Sequence, residues 1–371
     1  MERKKYKLSD LLTIKNGRDY KHLEEGNIPV FGSGGYMLSR SSFLYDKPSI
    51  LLPRKGTLSN IQYYNKGKFW TVDTCFYSII NDELCDGYYL YRYLRNLDLS
   101  RYDTGASIPS MTQKTYNKIK VFLPSLPTQQ KISSILSSYD RLIENNTRRI
   151  RLLEQMAENL YKEWFAYHKI KGLSTAVKLK EIISITRGLS YSSQEIDCTD
   201  GNNLINLKNI QGYGGFRLDG TKLYKGKYKP EQIVEEGDLI MGVTDMTQDR
   251  RTVGSVALIP NVNTLSVISA DLVKINSSID NTYLYAMFRY GNVSRHIAQF
   301  ANGANVLHLR PKSILNIKVF LPNQDIIDSF VSKVKPMIQL TNRLNTEIDS
   351  LTRQRDLLLP RLMSGKLEVK S

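Results

Sequence analysis

The side chains in this chain best suited to chemistry are hydrogen-bonding groups gathered in loops. One run is Pro53-Arg54-Lys55-Gly56-Thr57-Leu58-Ser59-Asn60, and another is Thr244-Asp245-Met246-Thr247-Gln248-Asp249-Arg250-Arg251. Arg, Lys, Asn, Gln, Ser and Thr are the residues that meet phosphates and base edges. Arg54, Lys55, Thr57 and Asn60, and then Thr244, Gln248, Arg250 and Arg251, are therefore the candidate contacts. Lys66 and Lys68 flank Gly67 in a basic hairpin candidate. Ser107 and Asn305 sit in the loops Thr104-Gly105-Ala106-Ser107 and Asn302-Gly303-Ala304-Asn305, where glycine lets a backbone approach closely. Each residue alone is as compatible with an ordinary solvated loop; only the set points to binding.

Nothing in the chain points to catalysis. His22, His168, His296 and His308 are scattered without ligand spacing. There is no G-x-x-x-x-G-K-[ST] nucleotide loop and no Asn-Pro-Pro-Tyr-like motif of adenine methylation. Cys75, Cys85 and Cys198 have no C-x-x-C spacing, so they read as buried free thiols in a reducing cytosol. Glu368-Val369-Lys370 resembles a nuclease E-x-K fragment but lacks its partner acids. The expectation is a non-catalytic chain that holds no metal or cofactor of its own.

The loops belong to a duplicated scaffold. Ile-Lys-Val-Phe-Leu-Pro stands at Ile119–Pro124 and again at Ile317–Pro322, 198 residues later. Lys7–Ile14 with Gly17 matches Lys178–Ile185 with Gly188 at an offset of 171, and Tyr89-Leu90-Tyr91 matches Tyr283-Leu284-Tyr285 at 194. A period this long means duplication of a whole domain, not a solenoid. The drift in offset places insertions in the middle of the second copy, as when one scaffold displays different recognition loops. The Thr244–Arg251 loop takes the place of the Arg54–Asn60 loop, and the two Gly-containing loops are cognate.

With 371 residues, 52 Lys+Arg and 36 Asp+Glu, the chain has room for two cores and carries a net charge of +16. The excess is +7 over residues 1–124 and +4 over 174–322, so both halves carry the electrostatic footprint of a polyanion binder. No signal peptide and no 18-residue apolar run is visible, which predicts a soluble cytoplasmic protein off the membrane.

Candidate strands at Ser49–Pro53, Ile61–Tyr64, Thr74–Ile80 and Ile119–Leu123 precede and follow a helix at Tyr88–Leu97. The second half has strands near Asn203–Leu207, Asp238–Gly242, Ser255–Ile259 and Asp271–Ile275, then a helix at Thr282–Tyr290. The irregular order of elements predicts α+β domains. Each domain is followed by a long helical stripe. The first places Ile132, Leu136, Tyr139, Ile143, Asn146, Ile150, Leu153, Ala157, Leu160 and Trp164 on one face, with Thr128 as N-cap. The second places Phe330, Val334, Met337, Thr341, Leu344, Ile348, Leu351, Arg355, Leu358 and Leu362 there, with a break or kink at Pro336 and an end at Pro360 and Gly365. Packed antiparallel, two helices of about 30 residues would make a rod about 45 Å long. Asn146, with Thr341 facing it or near it, would set the register. The expected parts are domain one at 1–124, long helix one at 125–170, domain two at 171–322, and long helix two with the tail at 323–371.

Leu-Pro-x-Leu-Pro-x-Gln-Gln-Lys-Ile at Leu123–Ile132, the ending Leu358–Leu367 and the phrase Phe69–Phe76 together resemble the specificity subunit of type I restriction-modification systems. The resemblance covers essentially the whole chain. It implies two tandem pseudo-repeat target recognition domains separated by a long antiparallel two-helix coiled coil, each domain reading one half of a bipartite, asymmetric double-stranded DNA target. It also implies two DNA-methyltransferase subunits that use S-adenosylmethionine for adenine N6-methylation, and restriction/translocase subunits that use ATP and Mg. The subunit of a methylation-only or type IIB-like system, a stand-alone two-headed DNA-binding protein, and a scaffold without nucleic acid are the other readings.

Overall fold

The computed structural model describes residues 2–105, 107–170, 172–196, 198–262 and 264–369. Ala106 of the first Gly-containing loop, Lys171 at the expected start of domain two, Lys370 and the side chain of His168 lie outside the described residues. The chain forms two compact units, one of residues 1–144 with 350–371 and one of 145–349. The tandem boundaries read from the sequence keep each long helix whole, whereas each compact unit takes a part of both.

In the first unit the opening strand Lys4–Lys7 pairs antiparallel with Lys120–Leu123, so the repeated hexapeptide closes the domain on its own beginning. A four-stranded antiparallel sheet runs in the order Leu12–Lys15, Cys75–Ile80, Ser49–Pro53, Gln62–Tyr64. A three-stranded sheet has Gly35–Arg40 antiparallel to Ile28–Gly32, which pairs in parallel with Trp70–Thr71. Helix Gly87–Arg95 starts at Asp86, whose carboxylate accepts the Tyr89 N–H. Leu11, Ile50, Leu52, Leu90, Ile119 and Val121 fill the core between them.

The second unit repeats this plan. Ser174–Lys178 pairs with Lys318–Pro322, and the four-stranded sheet runs Ser184–Arg187, Leu272–Asn276, Leu239–Gly242, Val256–Leu258. Asn202–Ile205 is antiparallel to Lys222–Tyr224 and parallel to Ser266–Ile268. Helix Asn281–Tyr290 is capped by Asp280. The insertion that shifts the sequence offset is visible as a connection. A tight turn joins Ile28–Gly32 to Gly35–Arg40, whereas residues 206–221 join the corresponding strands of the second unit.

The first long helix is Leu126–Ile170 and the second Gln324–Ser364. Thr128 is therefore inside the first helix, not its N-cap, and the second runs unbroken through Pro336 and Pro360, ending before Gly365 at φ 79°. The Pro336 ring leaves one helical hydrogen bond unmade, but the apolar stripe on both sides carries the helix across. Gln129 explains the Gln-Gln-Lys-Ile motif: fully buried, it accepts the Asp86 N–H at 3.0 Å and donates to the Pro124 carbonyl at 2.9 Å.

Within each unit the two long helices pack antiparallel. In the first, Ile132 and Leu136 share a core with Leu358 and Leu362, Tyr139 reaches Gln354, and Arg355 donates to Asp140 at 2.9 Å. In the second, Phe330 packs on Tyr161, Trp164 and Phe165 with ring centroids 5.9, 6.1 and 4.9 Å away. Leu344 is buried, and Ile143, Ile150, Leu153, Leu160, Ile348 and Leu351 are half-buried. Asn146 is buried, but Thr341 shares a cavity with Leu153, Glu154 and Ala157, two turns further along. The expected Asn146–Thr341 pairing is corrected accordingly.

Cys75 and Cys85 are buried, which pushes both thiols up to about 12, while Cys198 is only half-buried. Among the described residues, no helix is long and apolar enough to cross a membrane.

Candidate nucleic-acid interface

In the first unit three loops meet. The backbone following strand Ser49–Pro53 is zipped to the Gly-containing loop: Met111 N–H donates to Arg54 O at 3.0 Å, Gly56 N–H to Pro109 O at 2.9 Å, and Lys55 bridges Ser110. Asp103 ties the second loop by accepting the Gly105 and Ser110 N–H groups, each at 2.8 Å. These backbone donors, opposed only by slight desolvation, hold its carboxyl below the usual range. The turn at Ser33 completes the group, since Asn60 Nδ2 donates to Ser33 O at 2.6 Å and Gln62 Nε2 to Gly32 O at 3.2 Å.

The second unit builds the same lip. Thr244–Asp245 pairs with Leu307–His308, and Leu309 N–H donates to Val243 O at 2.8 Å. Met111 and Leu309, the two donors that close the zips, are 198 positions apart, so the loops matched in sequence are matched in space. The third element is the long 206–221 connection, where Tyr213 N–H donates to Arg251 O at 2.8 Å. Asp245, 2% exposed, organises the middle loop. It accepts from Thr247 N–H and Oγ1 at 2.9 Å, from Thr252 N–H at 2.7 Å and from Val253 N–H at 3.3 Å. Burial pushes this carboxyl up, but the Thr252 and Thr247 donors hold it below its ordinary value.

The predicted contacts divide clearly. Arg54, Lys55 and Thr57 are exposed on the first lip with Ser107, and Asn60 is half-buried, its amide committed to Ser33. Lys66-Gly67-Lys68 is not a hairpin, because the strands it joins belong to different sheets. Lys66 pairs with Glu144 of the long helix, and Lys68 lies 4.7 Å from the Phe43 ring. On the second lip Gln248 and Asn305 are exposed, with Gln248 Nε2 donating to Ala304 O at 2.9 Å. Arg251 is exposed and paired with Asp249 at 2.7 Å. Two expectations fail as free contacts. Thr244 is buried and its hydroxyl donates to Asp271. Arg250, at φ 54°, folds back with Nη1 on Gln299 Oε1 and Nε buried.

Sequence reasoning missed the exposed apolar side chains of both lips. Tyr36 beside the Ser33 turn is 62% exposed, and Ile108 at the tip of the Gly-containing loop is 60% exposed. In the second unit Tyr213 is exposed at φ 67°, between Gly212 and Gly214-Gly215, and Met246 adjoins Asp245. An open cleft of about 560 Å³ separates the latter loops, lined by Met246, Lys208, Arg217, Asp219, Thr247 and Arg251 among others. The glycine run around Tyr213 is the one sequence signal that could have marked this segment. Among the described residues there is no cluster of three or more metal-ligating side chains. The lips offer hydrogen-bond donors, cations and small apolar surfaces.

Comparison with known proteins gives a consistent answer. Residues 2–155 match the family described as type I restriction modification DNA specificity domain. The MjaVIII type I restriction enzyme specificity subunit of Methanocaldococcus jannaschii is 22% identical over 315 residues, covering 78% of this chain and 72% of that one. The MjaIX specificity subunit of the same organism is 23% identical over 356 residues, covering 88% and 79%. In fold, the chain is similar to the crystal structure of a type I restriction-modification S subunit from M. genitalium, with a TM-score of 0.73, 16% identity, and coverage of 97% and 96%.

Proposed function

Since this chain belongs with the specificity subunits of type I restriction-modification systems, we propose that it is the DNA-reading subunit of such a complex, each unit reading one half of a bipartite, asymmetric target. The observation that carries this reading is the three-loop lip, built twice on one scaffold from different side chains. A shared frame with divergent lips supports two unlike half-sites. Cations such as Lys55 on the first lip and Lys208 on the second position the duplex through its phosphates, and the remaining polar and apolar groups read bases. The expected domain divisions at 124, 170 and 322 then describe two target recognition domains, each followed by a long helix.

The chemistry belongs to partners. Two methyltransferase subunits bind S-adenosylmethionine and flip out the adenine for N6-methylation, and restriction/translocase subunits use ATP and Mg. This chain places them on DNA in the cytoplasm and makes or breaks no bond. The test is methylation sequencing of the host genome with and without the gene. Loss of one bipartite asymmetric N6-methyladenine motif on deletion is the expected result. An unchanged methylome, with the partner subunits expressed, would overturn it.

A further inference from the structure

Met246 is the most exposed large hydrophobic side chain among the described residues, at 71%. It is not on a slack segment. Asp245 immediately before it is buried and accepts four hydrogen bonds from Thr247, Thr252 and Val253, and Thr244–Asp245 is paired with Leu307–His308. The backbone on both sides of Met246 is therefore fixed, and its thioether arm projects at the rim of the open cleft that also carries Lys208, Arg217 and Arg251. Arg217 is paired with Asp219 and Arg251 with Asp249, and Asp245 also lines the cleft, so the cations of the rim are largely balanced by carboxylates.

An apolar side chain held in water by a rigid frame gains free energy only when another apolar surface covers it. In duplex DNA the apolar feature of a base edge is the thymine C5-methyl in the major groove. A methionine, flexible and polarisable, adapts to such a small convex group better than a branched side chain. We propose that Met246 is a specificity-determining residue of the second unit that reads a thymine by its methyl group. The inference rests on the DNA-reading function proposed above and adds to it one base class at one residue.

The experiment uses the full chain assembled with the methyltransferase subunits of its host, and duplexes carrying the motif found by methylation sequencing. Each thymine is replaced in turn by deoxyuridine, which removes only the methyl group, and binding is measured for the wild type and for Met246→Ala. One replacement, confined to one half-site, is expected to weaken wild-type binding roughly three- to fivefold, the equivalent of one buried methyl group. The same replacement should leave Met246→Ala unchanged, while Met246→Leu keeps most of the effect. Thermal melting of the variants guards against misfolding, which the exposure of residue 246 makes unexpected. A half-site pair without any methyl-sensitive thymine overturns the proposal, as does a methyl effect that survives in Met246→Ala. An affinity loss in Met246→Ala that is equal on all sequences also overturns it, and points to a wedge between base steps. Sequence-specific binding by the wild type in those cases leaves the parent reading intact; its absence sinks both.

Discussion

Tyr89 and Tyr283 stand 194 positions apart in matching helices, and both are fully buried with hydroxyls that find no hydrogen-bond partner among the described residues. The duplication has kept a ring of fixed shape and, with it, the same unsatisfied group. A buried hydroxyl without a partner costs about 1–3 kcal/mol, and replacing it by an apolar isostere removes that penalty. Tyr283→Phe and Tyr89→Phe are each expected to stabilise their own unit by about 1 kcal/mol. Calorimetry resolving the transitions checks this, and a fall in either transition would mean that the hydroxyl is satisfied in solution.

The same helices hold the long helix through sheltered arginines, Arg92 buried and Arg289 half-buried. Arg92 pairs with Asp140 and packs 5.2 Å from the Tyr88 ring centroid; Arg289 donates to Glu154 at 3.0 Å and lies 5.6 Å from Tyr285. Counted from the caps Asp86 and Asp280, the two arginines are one helical turn out of step. Removing one partner of a sheltered pair strands the other charge. Asp140→Asn is expected to lower the stability of the first unit by about 1–3 kcal/mol, discounted for partial exposure. Burial raises the Asp140 carboxyl, but the Tyr88 hydroxyl, Arg92 and Arg355 together bring it below its ordinary value. A depressed carboxylate contributes stability that is full above its unfolded value near 4 and lost as pH falls through the folded one. Asp140→Asn should therefore flatten the acid limb of a stability–pH profile, and an unchanged limb would deny Asp140 this role.

Gly303 holds the second lip closed. A Cβ there would lie 1.9 Å from the Val306 carbonyl oxygen, and its φ is 153°. Gly105 meets the Ile108 carbonyl at the same 1.9 Å. Gly303→Ala should displace the loop that donates Leu309 N–H to Val243 O, and weaken recognition of one half-site at least tenfold while the other half-site still binds. Footprinting on duplexes with one intact half-site at a time separates the two. Equal loss at both half-sites would contradict the local effect.

How much of this was legible in the sequence follows from where the information lies. Strands such as Ser49–Pro53 and Leu239–Gly242 were readable because continuous apolar β-formers between turn residues have few other solutions. The two loop runs are legible as basic or polar stretches at matching places in the duplication. The place of Thr244 is not legible locally, because its hydroxyl is taken by Asp271, in the turn before the distant strand Leu272–Asn276. Met246, Tyr213 and Tyr36 were missed for the converse reason: which apolar residue stays outside is decided by tertiary packing. The second long helix passes through Pro336 because a stripe of side chains packed over many turns outweighs one lost hydrogen bond.

Among the basic residues of the first unit, Lys55 and Lys66 are both exposed, and ion pairing is what distinguishes them. Lys55 is exposed on the lip, whereas Lys66 is paired with Glu144. Each phosphate contact adds about 0.9 to the slope of log affinity against log salt. Lys55→Ala should reduce that slope by about one and weaken all sequences similarly, while Lys66→Ala leaves it unchanged. Titrations at several salt concentrations decide the matter, and the reverse pattern would move the interface to the Lys66 side.

Asn146 is the polar break in the stripe of the first long helix. It is 3% exposed, and its Nδ2 has no hydrogen-bond partner among the described residues. An unsatisfied amide in a helix pair reduces stability, and its retention fits a device that disfavours alternative registers. Asn146→Leu is expected to raise the stability of the second unit by about 1 kcal/mol. It should also broaden the register, read as a lower yield when Leu153→Cys and Thr341→Cys, residues of one cavity, are bridged by a short thiol cross-linker. A more stable protein with undiminished cross-linking would show that packing alone sets the register. No gain in stability would mean that the amide is solvated after all, and the stripe would then owe nothing to its one asparagine.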